Sequence, residues 1–186
     1  MFEIIESPLP GCRELLPLIR EDDRGRFVKT FHSEFFAAHD LAHRFREQYY
    51  SVSRKGTLRG LHFQVPPHDH TKIVTCLDGA IMDVVVDLRV GSPGHGQHAI
   101  FEVTAARGNQ VYIPAGMAHG FYVTSQSATV LYGATTVYAA DHDTGIRWDS
   151  AGIPWPDPEP SISERDAGLV PWAEFESPFL FPAGVS

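Results

Sequence analysis

The sequence predicts an all-β fold, a sandwich or barrel with short flanking helices and a C-terminal tail. Three observations predict it. Between about Arg26 and Tyr138 the chain is a succession of short runs rich in Val, Ile, Thr, Tyr and Phe. Gly, Pro, Asn or Asp breaks separate the runs. Helical patterning is confined to one short stretch. Many short strands at regular spacing argue for a sandwich or barrel rather than a parallel α/β sheet.

The predicted strands run in order along the chain. The first three are RFVKTFH (26–32), EQYYSVS (47–53) and LRGLHFQ (58–64). Next come KIVTCL (72–77), AIMDVVVDLR (80–89) and HAIFEV (98–103). The last are QVYIP (110–114), GFYVTS (120–125) and TVLYGATTVY (129–138). Each is dominated by β-branched or aromatic side chains, which fit a pleated, half-buried surface. The Asp78-Gly79 pair between two runs reads as a hairpin turn. A helix is expected only over SEFFAAHD (33–40), with Ser33 as its N-cap. The tail after Ser150 is Pro-rich and carries Trp155, Trp172, Phe175, Phe179 and Phe181. A tail this apolar is expected to pack on the body or on a partner subunit, as loops and short helices.

The bulk numbers narrow the function classes. A chain of 186 residues fits one domain with a sizeable core. Hydrophobic content of 43% and charged content of 20% are ordinary globular values. The formal net charge of -8 argues against nucleic-acid or membrane-surface binding, both of which favour a basic face. A local basic pocket for a small anion remains compatible with it. Cys12 and Cys76 form no metal or redox motif and are expected as free thiols. The start shows no signal peptide and no run reaches membrane-span length, so a soluble cytoplasmic protein is expected.

Two segments carry the chemistry. KGTLRGLHFQ, residues 55–64, holds Arg59 and His62 on one strand. Residues an odd number apart face opposite sides of a regular strand. Either Gly60 introduces a bulge or Arg59 acts near the rim. GNQVYIPAGMAHGF, residues 108–121, places Gly108, Pro114, Gly116 and His119 at the spacing of the generic cupin pattern. That resemblance implies a double-stranded β-helix, or jelly roll. The segments together suggest a barrel mouth holding a basic cluster and a general base.

Other residues carry two readings each. Lys72 opens a strand; it is a solvated strand end or a cation for a developing oxyanion. Tyr132 and Tyr138 share one face if their strand is regular, and a tyrosine hydroxyl facing a histidine is a good acid partner for a base. Asp166 in SISERDAG is the cap or first turn of a short helix, or a carboxylate that orients His62. His68, His70 and His119 permit a metal-cupin reading, an oxygenase or isomerase. Metal cupins usually add a glutamate after H-x-H, and TKIVTCL has none.

Nearly the whole chain resembles the dTDP-4-dehydrorhamnose 3,5-epimerases. The motifs are EDDRGRF, KGTLRGLHFQVPP, GAIMDVVVDLRVGSP, YIPAGMAHGF, LYGATTVY and SERDAG, in that order. The resemblance implies a single cupin-type domain over 1–186, usually a homodimer that shares strands, with no cofactor and no metal. Its substrate would be a dTDP-4-keto-6-deoxyhexose, inverted at C3, C5 or both, for rhamnose or a natural-product sugar. By position, His62 resembles the proton acceptor, Asp166 its partner and Tyr132 the proton donor on the opposite face. Lys72 resembles the lysine facing the enolate oxygen. Arg24, Arg59 and His119 match contacts to the nucleotide, Tyr138 the ring that stacks on thymine, Asp143 an acidic substrate contact and Arg165 a basic one. Two departures fall at positions that, by the resemblance, line the nucleotide and sugar site and contact the substrate. Lys29 stands where the family commonly has glutamate, and Glu47-Gln48-Tyr49 where it commonly has a Gln-Asp-Asn-like run. Lys29 reverses a local charge and Tyr49 adds bulk.

Overall fold

A computed structural model describes residues 1–181 of the chain. Two antiparallel sheets face each other in a cupin-type jelly roll. One has the strand order β1 (Phe2–Glu6), β2 (Arg13–Pro17), β10 (Gln110–Ile113), β7 (Lys72–Asp78), β12 (Ser127–Ala134), β5 (Glu47–Arg54). The other has the order β13 (Asp143–Gly145), β6 (Leu58–Gln64), β11 (Met117–Val123), β8 (Ala80–Asp87), β9 (His98–Thr104). A separate hairpin joins β3 (Ile19–Asp22) to β4 (Gly25–Val28). Two short helices complete the fold, α1 (Ser33–Ala38) and α2 (Glu164–Ala167). No helix among the described residues is long and apolar enough to cross a membrane.

Strand alternation divides the interior in two. Val74, Cys76, Val111, Ile113 and Val130 point in from the larger sheet. They meet Ile81, Val85, Val103, Met117, Phe121 and Val123 of the smaller one. At the other end of the same strands the inward positions are polar, and there the cavity lies. The aromatic tail covers the outer face of the smaller sheet. Phe179 is buried among Leu61, Phe63, Val84 and Val86, with Trp155, Trp172 and Phe175 packed around it. Arg89 stacks on Phe181, 4.8 Å from the ring centroid. That coverage explains why β8 is apolar on both faces. Cys12 and Cys76 are buried free thiols.

Several expected elements come out differently. The strand expected over 26–32 is only the end of β4, which stops at Val28. The run expected over 120–125 starts earlier, at Met117. The run expected over 129–138 stops at Ala134, where pairing to β5 and β7 ends, so Tyr138 lies beyond the strand. The strands β1, β2, β3 and β13 were not expected. They are short, charged or at sheet edges, and burial supplies little alternation to read. Ser33 is the first helical residue rather than the cap. His32 is extended, and its Nδ1 accepts the Phe35 N–H at 3.3 Å. Asp78-Gly79 forms a corner, not a hairpin: β7 pairs with β10 and β12, whereas β8 pairs with β11 and β9. Gly79 has φ 79°, and a side chain there would collide with the Ser127 carbonyl oxygen.

Candidate active site

A cavity of about 340 Å³ opens at the polar end of the barrel. The larger sheet lines it with Tyr49 and Ser51 from β5, Lys72 from β7 and Tyr132 from β12. The smaller sheet supplies Arg59 and His62 from β6 and His119 from β11. His119 and His62 are directly paired across β11 and β6.

Arg59 reaches this wall because β6 bulges. His62 and Arg59 oppose His119 and Phe121, so three steps on β6 match two on β11. Gly60 sits in the bulge at φ 129°, and a Cβ there would lie 2.5 Å from the Gly120 Cα. Only glycine fits. Gly60→Ala is expected to destabilise the fold by at least about 2 kcal/mol, from the strained φ plus overpacking. An unchanged denaturation midpoint would contradict this. Of the two sequence readings, the bulge holds, and Arg59 donates from Nε to Ser53 Oγ at 2.9 Å.

Two histidine–carboxylate pairs flank the cavity floor. His62 Nε2 donates to Asp166 Oδ1 at 2.8 Å, and Asp166 Oδ2 accepts the Gly60 N–H at 3.1 Å. Asp166 occupies the first turn of α2, where its own N–H donates to the Ser163 cap at 3.1 Å. It is both the helix-start residue and the partner of His62. Burial pushes its carboxyl up, but the bonds from His62, Gly60 and Ser163 outweigh this and hold it below the usual carboxylate range. With Nε2 committed, Nδ1 is the His62 nitrogen available to a ligand. The second pair is His119 Nε2 with Asp83 Oδ2 at 2.7 Å. Asp83 is fully buried, and its Oδ1 has no partner among the described residues.

On the facing sheet, Tyr132 is buried with its hydroxyl 3.3 Å from Ser51 Oγ. Its ring stacks on Tyr49 at 4.7 Å and 17°. Burial pushes its hydroxyl well above the ordinary value, so it holds its proton. Lys72 is 8% exposed rather than a solvated strand end. Burial pulls its ammonium down to about 8, against the opposing pull of Asp143 and Asp83.

Tyr138 and Asp143 line the mouth. The Tyr138 N–H donates to Glu47 Oε2 at 2.6 Å, and Asp143 Oδ2 accepts from exposed Arg165 at 2.6 Å. Arg165 thus joins the site through Asp143. Arg24 and Lys29 do not reach this cavity. Arg24 stands at the tip of the β3–β4 hairpin, its side chain 90% exposed and paired with Asp22. Lys29 is exposed just past β4.

The three histidines of the metal reading do not converge. The His68 ring lies against His142, His70 Nδ1 faces Gln64 and Thr136, and His119 Nε2 is committed to Asp83. No group of three or more His, Cys, Asp or Glu among the described residues is arranged to hold a metal ion. Sequence reasoning missed Asp83, Ser51 and Gln64. A charge inside the apolar run AIMDVVVD was the available signal for Asp83. Ser51 and Gln64 gave none.

The family model for dTDP-4-dehydrorhamnose 3,5-epimerase matches residues 6–174. The chain belongs to the dTDP-4-dehydrorhamnose 3,5-epimerase family. The family's enzyme of that name from Mycolicibacterium smegmatis is 37% identical over 180 residues, 95% of this chain and 89% of the relative. The crystal structure of dTDP-6-deoxy-D-glucose-3,5-epimerase from Legionella pneumophila, in complex with dTDP-4-keto-L-rhamnose, superposes with a TM-score of 0.93. It is 31% identical, with 98% of this chain and 100% of that one covered. ChmJ, a 3'-monoepimerase from Streptomyces bikiniensis solved in complex with dTDP-quinovose, gives a TM-score of 0.85. It is 33% identical over 91% of this chain and 87% of that one. The chain is thus similar to these epimerases in sequence and in fold over almost its full length, and one of them, ChmJ, is a 3'-monoepimerase.

Proposed function

We propose that the protein epimerises a dTDP-4-keto-6-deoxyhexose at C3, C5 or both, without a cofactor, in deoxysugar biosynthesis. The observation that carries this reading is the placement of base and acid. His62 lies on the smaller sheet and Tyr132 on the larger one, so a sugar between them meets a base on one face and an acid on the other. The C4 ketone acidifies the protons on C3 and C5. His62 Nδ1 removes one, and Asp166 steadies the imidazolium that forms. The Lys72 ammonium faces the enolate oxygen. Tyr132 returns a proton to the opposite face, which inverts the centre. Arg59 and His119 suit the diphosphate, Tyr138 the thymine ring, and Asp143 with Arg165 the rim of the substrate. The expected product is an epimer resolved by proton NMR after incubation with dTDP-4-keto-6-deoxyglucose. Unaltered substrate beside retained dTDP binding would count against this sugar.

Lys72 gives a pH signature. Below about 8 its ammonium persists, and as pH rises through about 8 the charge facing the enolate is lost. The epimerisation rate is expected to fall along that limb. Lys72→Met should lower the rate and remove the limb from the pH profile; an identical alkaline limb in that variant would assign it elsewhere.

A homodimer that shares strands completes the site in this reading. Three exposed features support it. Among the described residues the β3–β4 hairpin pairs with no other strand, and it exposes Phe27. The edge strand β5 exposes Tyr50 and Val52. Arg24 and Lys29 sit on or beside that hairpin, outside their own cavity, where they would reach a partner's. Arg24→Ala is then expected to weaken dTDP binding by about tenfold, the loss of one charge-assisted contact. Calorimetric titration with dTDP measures it, and equal affinity would remove Arg24 from the nucleotide site. A dTDP-sugar substrate and two buried free thiols also suit a cytoplasmic setting. Lys29 and Tyr49 leave open a modified deoxysugar in place of the rhamnose precursor.

A further inference from the structure

The hydroxyl of Tyr132 is weakly anchored. Among the described residues its one hydrogen-bond partner is Ser51 Oγ, and that bond is long at 3.3 Å. We propose that Tyr49 is a positioning residue for Tyr132: by stacking on its ring it aims the hydroxyl at the sugar, and so sets how much of the enolate is protonated on the inverting face. This rests on the epimerase reading and names a residue that controls its stereochemical outcome.

The stack follows from the strand pairing. Tyr49 on β5 and Tyr132 on β12 are direct partners in an antiparallel ladder that runs without a break from Glu47 with Ala134 to Arg54 with Ser127. Partners in such a ladder project to the same face, with Cβ atoms about 5 Å apart. Both side chains therefore enter the cavity, and both line it. Their rings lie 4.7 Å apart at 17°, the separation of an attractive stacked pair. By the resemblance, an asparagine-like residue commonly stands at this position, and it offers no ring. The pair is thus a feature of this chain.

Tyr132 is confined by two rings. Tyr49 covers one face, and His119 meets it edge-on at 6.1 Å and 72°. His119 is itself tied to Asp83 at 2.7 Å. The strand fixes where the Tyr132 Cβ points but leaves the phenol alternative rotamers. Because Tyr49 lines the cavity, loss of its ring opens space into which the phenol can turn. A displaced hydroxyl no longer faces the enolate carbon opposite His62. The His62 imidazolium then returns a proton, or a deuteron gained from solvent, to the face it came from. The starting configuration is restored, so exchange continues where inversion is lost.

Two measurements test this on the full-length protein. Proton NMR on wild-type protein with labelled tyrosine should show close contacts between the Tyr49 and Tyr132 rings. Their absence would overturn the proposal whatever any variant does. The second measurement is the initial ratio of inverted product to total deuterated sugar, with dTDP-4-keto-6-deoxyglucose in D₂O. A loss of folded protein lowers both quantities together and leaves this ratio unmoved. Tyr49→Ala should lower it by about three- to tenfold, the worth of one aromatic pair. Tyr49→Phe, which keeps the ring and loses the hydroxyl, should restore it to within about threefold of wild type. A Tyr49→Ala ratio within about threefold of wild type would remove Tyr49 from control of the outcome. A Tyr49→Phe ratio as low as that of Tyr49→Ala would assign the effect to the Tyr49 hydroxyl and overturn the stacking role. If wild type neither exchanges nor inverts this sugar, the epimerase reading of the site fails first, and this proposal falls with it.

Discussion

His62→Ala is expected to slow exchange of the substrate's C3 and C5 protons with solvent by about 10²–10⁴, the usual worth of a positioned base. The only nitrogen of His62 free to meet substrate is Nδ1, because Asp166 holds Nε2 at 2.8 Å. Removing the ring leaves no other histidine in the same orientation. His119, its neighbour across the strand pair, is tied to Asp83 through Nε2 and sits deeper, at 4% exposure. The fold should survive. The His62 side chain is 26% exposed, and Asp166 keeps its bonds to Gly60 and Ser163. Binding of dTDP should persist as well, since Arg59 and Tyr138 stand on other supports. Proton NMR in D₂O reads the exchange directly. Wild-type exchange in this variant would take the base role away from His62.

Tyr132→Phe should separate two events that wild type performs together. His62 would still remove a proton and return one to the same face, so deuterium would enter the substrate. Inversion would fall by about 10²–10⁴, because the acid on the opposite face is gone. The substitution removes one hydroxyl, and the lost bond to Ser51 is long at 3.3 Å. Stacking on Tyr49 is kept by the phenyl ring. Product analysis beside deuterium counting distinguishes the outcomes. Undiminished inversion would assign the donor elsewhere on the larger sheet. Equal loss of exchange and inversion would show that Tyr132 acts before proton return.

Much of the barrel could be read from residue order because its strands alternate. From β5 to β12, inward positions are apolar at one end and polar at the other, and β-branched residues fill both faces of β8. The N-terminal strands gave no such pattern. The hairpin of β3 and β4 is made of IRED and GRFV, whose exposed faces carry charge and whose pairing depends on register alone. Tyr138 illustrates the same limit from the other side. Its residue type continues the strand pattern, but the hydrogen-bond partners end at Ala134.

At the site, Lys72, His62 and Tyr132 were legible as strand residues, but position alone left Lys72 a solvated strand end or a cation, and the family resemblance pointed to the roles. Asp166 was not legible from spacing, since 104 residues separate it from His62 and only the fold brings them to 2.8 Å. Family resemblance pointed to that pair. Arg59 depended on a bulge that strand periodicity cannot specify, although Gly60 marked the place. His70 was misleading because H-x-H suggests a metal ligand, whereas Gln64 and Thr136 engage its Nδ1. The hairpin positions Arg24 and Lys29 were assigned to the site by position, but in a single chain they lie outside the cavity.

In the proposed reaction His62 removes a carbon-bound proton from a keto sugar and Tyr132 returns one to the opposite face. The most direct measurement is incubation of the wild-type protein with dTDP-4-keto-6-deoxyglucose in D₂O, following the C3 and C5 protons by NMR. Loss of one or both signals, with a deuterated epimer as product, is the predicted result, and the signals lost name the centres inverted. Retention of both signals alongside tight dTDP binding would contradict proton removal by His62 from this sugar.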